Sequence, residues 1–212
     1  MRLYIGDYEL SSWSLRAWLA LTESGLDFET IEILLDRPET AEALAQVSPT
    51  ARVPVLHDGD LVIWESLAIC EYVAERVPTL WPDDSAARAV ARAVSAEMFS
   101  GFATLRREHP MAIGHERPRA PSPGAARDVA RIRTLWNDCR TRFGALAGGP
   151  FLFGRFTIAD AMYAPVVSRF RTYAIPTDTV CEAYADAVWE HPGMAAWRRL
   201  AADADDDETT RY

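Results

Sequence analysis

Three short stretches carry residue types whose spacing suits chemistry. The first is Ser11-Ser12-Trp13-Ser14, which precedes an apolar-periodic run through Leu15, Trp18 and Leu19 that ends at Gly25. Hydroxyls there sit at a helix N-terminus, where unpaired N–H groups and the positive end of the helix dipole favour an anion. Capping of the helix by Ser is the competing use of those side chains. The second is Val53-Pro54-Val55-Leu56, a strand entered through a proline. Proline cannot donate to a ladder, and an X–Pro bond ahead of a hairpin is a candidate cis peptide, which would leave the Val53 backbone open to a ligand lying alongside. The third is Glu65-Ser66 at the start of another helix. An exposed strand edge beside a helix N-terminus can hold a small extended peptide by its backbone and its carboxylate.

These stretches need elements to position them. Arg2 to Ile5 and Phe28 to Leu34 read as strands flanking the first helix, and Pro38 to Val47 as a short helix followed by a turn at Ser48-Pro49-Thr50. Asp58-Gly59 between two apolar runs predicts a hairpin joining Val53–His57 to Asp60–Trp64. Leu67, Cys70, Ala74 and Val77 then recur on one helical face. Pro78 to Ser85 is linker-like, and only helical patterns follow it. Val90, Val94, Met98, Phe102 and Leu105 predict one long helix, and Val129 to Leu146 a second, with a Pro- and Arg-rich loop from Pro110 to Gly124 between them. Thr157-Ile158-Ala159-Asp160 predicts a capped helix start, with Thr157 and Asp160 serving each other's backbone. Two shorter helices, Val180 to Trp189 and Met194 to Leu200, precede an acidic stretch from Asp203 to Tyr212 expected to fray. The implied architecture is α/β followed by all-α: an α/β domain over 1–78, a linker over 79–85 and a helical domain over 86–212.

Composition narrows the function. The 212 residues are 49% hydrophobic and 25% charged, with net charge −9 and four histidines. An acidic chain is a poor partner for nucleic acid, and no apolar run is long enough to span a bilayer. The N-terminal residues turn polar at Gly6-Asp7, unlike a signal peptide. The three cysteines, Cys70, Cys139 and Cys181, show neither metal-ligand nor redox spacing, which suits a cytoplasmic protein with free thiols. His57, His109, His115 and His191 form no metal or triad pattern.

Taken in order, Ser11–Arg16, Ser48–Leu56, Glu65–Tyr72 and Thr157–Asp160 make the chain resemble the cytosolic glutathione S-transferases over essentially its full length. The serine run is most similar to the zeta class, which includes maleylacetoacetate isomerases, although Trp13 stands where that class usually has Cys. The resemblance implies a thioredoxin-like N-terminal domain, glutathione as co-substrate, no metal, and a homodimer. It implies a hydroxyl, from Ser11 or Ser12, that stabilises the glutathione thiolate. Spacing leaves that choice open: counting back from Arg16 favours Ser12, and matching the Ser-Ser-x-Ser run favours Ser11. Trp13, Arg52, Val53, Pro54, Glu65 and Ser66 are implied in glutathione binding, with Val53 serving the cysteinyl backbone, Glu65 and Ser66 the γ-glutamyl end, and Arg52 the neighbourhood of the glycyl end. Candidates for contact with a small electrophile between the domains are Met98, Phe102, Arg106, Arg169 and Arg171. Three functions fit: conjugation of glutathione to an electrophile, glutathione-dependent cis–trans isomerisation of a maleyl-type diacid, and non-catalytic binding or regulation on the same fold.

Overall fold

The structure is a computed structural model that describes the backbone of residues 1–209 and the side chains of residues 1–204. The N-terminal part runs β1 (Arg2–Ile5), α1 (Ser12–Ser24), β2 (Glu29–Glu32), α2 (Thr40–Val47), β3 (Val55–Asp58), β4 (Leu61–Trp64) and α3 (Ser66–Arg76). Its four strands lie in the order β2-β1-β3-β4. β1 pairs parallel to β2, with Leu3 opposite Thr30, and antiparallel to β3, with Leu3 opposite Leu56. The β3–β4 hairpin turns at Asp58-Gly59, where Gly59 takes a φ of +61° that a side chain would resist. The Val53–Pro54 bond is cis, and the paired strand starts just after it, at Val55.

The helical part comprises α4 (Ser85–Ser100), α5 (Ala103–Glu108), α6 (Pro123–Cys139), α7 (Ile158–Thr172), α8 (Thr179–Glu190) and α9 (Pro192–Thr209). A 3₁₀ turn at Pro78–Leu80 lies in the connecting stretch, and a π-helical turn at Arg140–Gly144 follows α6. α1 packs against α3 on one side and α7 on the other, so the two parts share one hydrophobic core. α7 is the centre of that core: of its fifteen residues, all but Arg171 are buried.

Two expectations are corrected here. The long helix through Val90 and Leu105 is two helices, because Phe102 adopts left-handed backbone (φ 54°) and turns the chain between α4 and α5. Periodicity runs across such a break because apolar residues on both sides still face one core. The acidic stretch from Asp203, expected to fray, continues α9 as far as Thr209, and residues 210–212 lie outside the described residues.

The start of α7 is held by a buried carboxylate. Asp160 accepts from Thr157 N at 2.8 Å, Thr157 Oγ1 at 2.9 Å and Leu152 N at 3.0 Å. Burial pushes its carboxyl up to about 6, with those three donors pulling the other way. Asp160→Ala should therefore leave buried donors unpaired and cost about 2–4 kcal/mol in denaturant titrations. The raised value also fixes the sign of a pH effect. Between the ordinary aspartate value of 3.8 and about 6 the folded chain retains a proton that the unfolded chain has released, so this residue's contribution to stability falls as pH rises through that window. Stability measured against pH should lose that component in Asp160→Asn, which does not titrate.

Candidate functional site

α1 starts at the mouth of the joint between the two parts, and its first residues are fixed by an unusual set of contacts. Ser11 occupies the N-cap position but makes no side-chain cap. Its hydroxyl donates to Ser14 Oγ at 2.7 Å, and Ser14 Oγ also accepts from Gly6 N at 3.1 Å, tying α1 to the end of β1. Ser12 is held differently. Its carbonyl accepts from Arg16 Nη1 at 2.7 Å and its hydroxyl oxygen accepts from Arg169 Nη2 at 3.2 Å. Arg16 is fully buried and also donates through Nε to the Met162 carbonyl at 2.9 Å, so α1 and α7 are linked through one guanidinium.

Two hollows meet at Trp13. The first is a pocket of about 70 Å³ lined by Trp13, Thr50, Arg52, Val53, Pro54, Glu65 and Ser66. Every residue read from the sequence as a candidate for glutathione contact is thus brought together on one wall, and Thr50, which sequence reasoning did not single out, joins them. Glu65 takes a φ of 69° at the entrance to α3, a sparsely populated conformation for a residue with a side chain. Ser66 is buried, and its hydroxyl has no hydrogen-bond partner within the described residues. A buried hydroxyl without a partner is costly in the free protein, and a polar ligand in this pocket relieves that cost. The N-terminus of α3 adds unpaired N–H groups suited to a carboxylate. The pocket residues therefore fit a small acidic peptide.

The second hollow is an open cleft of about 410 Å³ between the two parts, lined by Leu10, Ser12, Trp13, Ala103, Arg106, Arg107, Pro110, Met111 and Arg169. Three arginines line it and no carboxylate does. Burial, and then the neighbouring Arg106 charge, lower Arg169 to about 10, so it stays protonated at neutral pH. Arg106 is also lowered by burial, and its guanidinium lies 5.2 Å from the centre of the Trp13 ring. Arg16 lies on the same ring at 4.3 Å. Trp13 is thus packed by two cations, a favourable use of its π face.

The remaining candidates for the electrophile divide. Arg106 and Arg169 stand on the cleft, whereas Met98 and Phe102 are buried in the core and are not among its lining residues. Arg171 is elsewhere: it pairs with Asp186 and stacks at 4.9 Å over Trp189. Positions 169 and 171 are about 200° apart around a helix, so the two side chains cannot share a face. Sequence reasoning did not single out Leu10, Ala103, Arg107, Pro110 or Met111, which also line the cleft.

The glutathione S-transferase N-terminal domain family matches residues 10–76, and the glutathione S-transferase C-terminal domain family matches residues 122–200. The chain is an enzyme of the glutathione S-transferase family. It is 28% identical to glutathione S-transferase F14 of Arabidopsis thaliana over 85% of this chain and 72% of that one. It is 29% identical to the maleylacetoacetate isomerase of Rattus norvegicus over 82% of each. Among solved structures, a Burkholderia glutathione transferase homologue with bound glutathione superposes with a TM-score of 0.72 at 25% identity, covering 95% of this chain and 98% of that one. Among the described residues, no helix is long and apolar enough to cross a membrane.

The family's ligand gives the Ser66 observation a sharp test. Ser66→Ala should leave thermal stability unchanged or slightly raised, because it removes an unpaired buried hydroxyl, while weakening glutathione by about tenfold or more in calorimetry through loss of a charge-assisted bond.

Proposed function

We propose that this chain conjugates glutathione to a small electrophile. The observation that carries the proposal is the meeting, at Trp13, of the Glu65–Ser66–Val53 pocket with a separate cleft that holds the Ser12 hydroxyl. In this reading Ser66 and the α3 N-terminus take the γ-glutamyl carboxylate and Glu65 the ammonium group. Val53 meets the cysteinyl backbone, and Arg52, exposed and without an ion pair among the described residues, lies toward the glycyl end. The thiol proton leaves to solvent. A hydroxyl of Ser11 or Ser12 donates to the sulfur, and the positive end of α1 lowers the energy of the anion further. The thiolate lone pair then forms the new carbon–sulfur bond, and the leaving group departs with its bonding pair. The enzyme is proposed to act in the cytoplasm, where its three buried free cysteines suit a reducing setting, and as a homodimer.

A second reaction is favoured by the cleft itself. Three arginines without a carboxylate suit a substrate that brings its own negative charge. Addition of the thiolate to the double bond of a maleyl-type diacid, rotation about the resulting single bond, and expulsion of the sulfur would yield the trans isomer and return glutathione unchanged. The likeness to the rat isomerase points the same way, and Trp13 in place of the usual Cys is the departure from the zeta pattern.

Turnover of a neutral chloro-nitroaromatic and of maleylacetone separates the two reactions. Activity on the first should fall by about 100- to 1,000-fold in one of Ser11→Ala and Ser12→Ala while glutathione affinity is kept, as expected for loss of a single anion-stabilising donor. Wild type that binds glutathione yet turns over neither compound would defeat both readings. If the diacid is a substrate, Arg106→Ala and Arg107→Ala should each raise its KM by about tenfold and leave the KM for the neutral compound unchanged.

A further inference from the structure

A recess of about 180 Å³ lies where three segments meet, and it shares no lining residue with the two hollows at Trp13. The loop after β1 supplies Glu9. The loop between α5 and α6 supplies Ile113, Gly114 and His115, and α9 supplies Arg198, Ala201 and Ala202. Backbone holds the first two segments together, since Ile113 N donates to the Glu9 carbonyl at 3.2 Å. Gly114 turns its loop with a φ of +90°, and the space where a Cβ would stand is open.

One cation of the recess lacks an anion. The Glu9 carboxylate is engaged by His115 Nε2 at 2.9 Å and lies 3.9 Å from Arg117 Nη2. Asp7 and Glu32, which border a separate depression with Glu9, accept from the backbone N–H groups of Leu35 and Tyr8. Arg198 has no carboxylate partner among the described residues. Its Nε is buried without a hydrogen-bond partner, and its Nη2 reaches only the Trp189 carbonyl, at a long 3.4 Å. The contrast with Arg171 is direct. Both guanidiniums lie on the Trp189 ring, Arg171 at 4.9 Å and Arg198 at 4.4 Å, yet Arg171 also pairs with Asp186. A buried N–H without an acceptor is costly in the free protein, and a bound oxyanion relieves that cost. Beside this cation the lining is apolar, with Ile113 and Ala201 both buried.

The geometry points to a binding site in this recess for a small aliphatic carboxylate, with Arg198 taking the carboxylate and Ile113, Ala201 and Ala202 its short chain. A guanidinium fork matches a carboxylate with two parallel hydrogen bonds. The volume is below that of pockets for drug-sized ligands, which limits the occupant to a few heavy atoms. The site is independent of the reaction proposed above and needs no glutathione. Leu10 and Met111, from the same two loops, line the cleft, so the occupant sits beside the cleft and outside it.

The test is a titration of the full chain with acetate and butyrate, followed by NMR at the Gly114 backbone N–H and the Trp189 indole N–H, with inorganic phosphate as the comparison. Both signals should move together with butyrate, with a Kd of about 1 mM, and acetate should bind about tenfold more weakly for want of two buried methylenes. Arg198→Gln should weaken butyrate by about tenfold or more. Ala202→Glu, at an exposed position, sets a like charge on the wall of the recess and should weaken it similarly; it carries the test if Arg198→Gln disturbs the fold. The double variant Arg106→Ala/Arg107→Ala, in the cleft, should leave the titration unchanged. The inference is overturned if neither signal moves with butyrate up to about 100 mM, a hundredfold above the expected Kd. It is also overturned if the titration survives both Arg198→Gln and Ala202→Glu, or if it is lost in the cleft variant, which would put the anion among the cleft arginines. Equal affinity for phosphate and butyrate would overturn the assignment to an aliphatic carboxylate.

Discussion

The structure depends on one fully buried guanidinium. Arg16 joins the Ser12 carbonyl in α1 to the Met162 carbonyl in α7, and so fixes where the α/β part meets the helical part. A cation in that position is tolerated because its donors reach carbonyls and its face lies on Trp13, and one nitrogen, Nη2, is still left without a partner. An apolar side chain would be cheaper to bury. What the cation supplies is position: it ties the first turn of α1, which forms a wall of the cleft, to the core helix.

The same constraint explains the distribution of charge. The chain is acidic overall, at −9, yet its cleft is lined by arginines. A positive hollow in a negative surface concentrates an anionic ligand at one place, and the field is strongest where water is scarce. Burial thus does two jobs in the joint. It fixes geometry, and it keeps the positive potential from being screened.

Much of this was readable from the chain alone, and the limits follow physical lines. Local signals were legible: Gly59 in its turn, Pro54 before its strand, Thr157 and Asp160 at the head of α7, and the group from Arg52 to Ser66 that gathers in one pocket. Each is set by neighbours in sequence. The break between α4 and α5 was missed although Gly101 marks it: it caps α4, and a Cβ there would meet the Glu97 carbonyl at 2.6 Å. The different surroundings of the Ser11 and Ser12 hydroxyls were not legible, since Arg169, which reaches Ser12, lies 157 positions away. Arg171 was misplaced for a different reason: a charged residue in a core helix invites a functional reading, and only the helical angle shows that it faces outward to Asp186.

Trp13 forms a wall of both hollows, and this shapes how such an enzyme can diversify. A change at position 13 alters both hollows at once, so neither can be reshaped there without the other. Ala103, Arg107, Pro110 and Met111 line the cleft alone and belong to the helical part, whereas Arg106 also packs on the Trp13 ring. Changes at those four positions reshape the cleft without altering a wall of the smaller pocket.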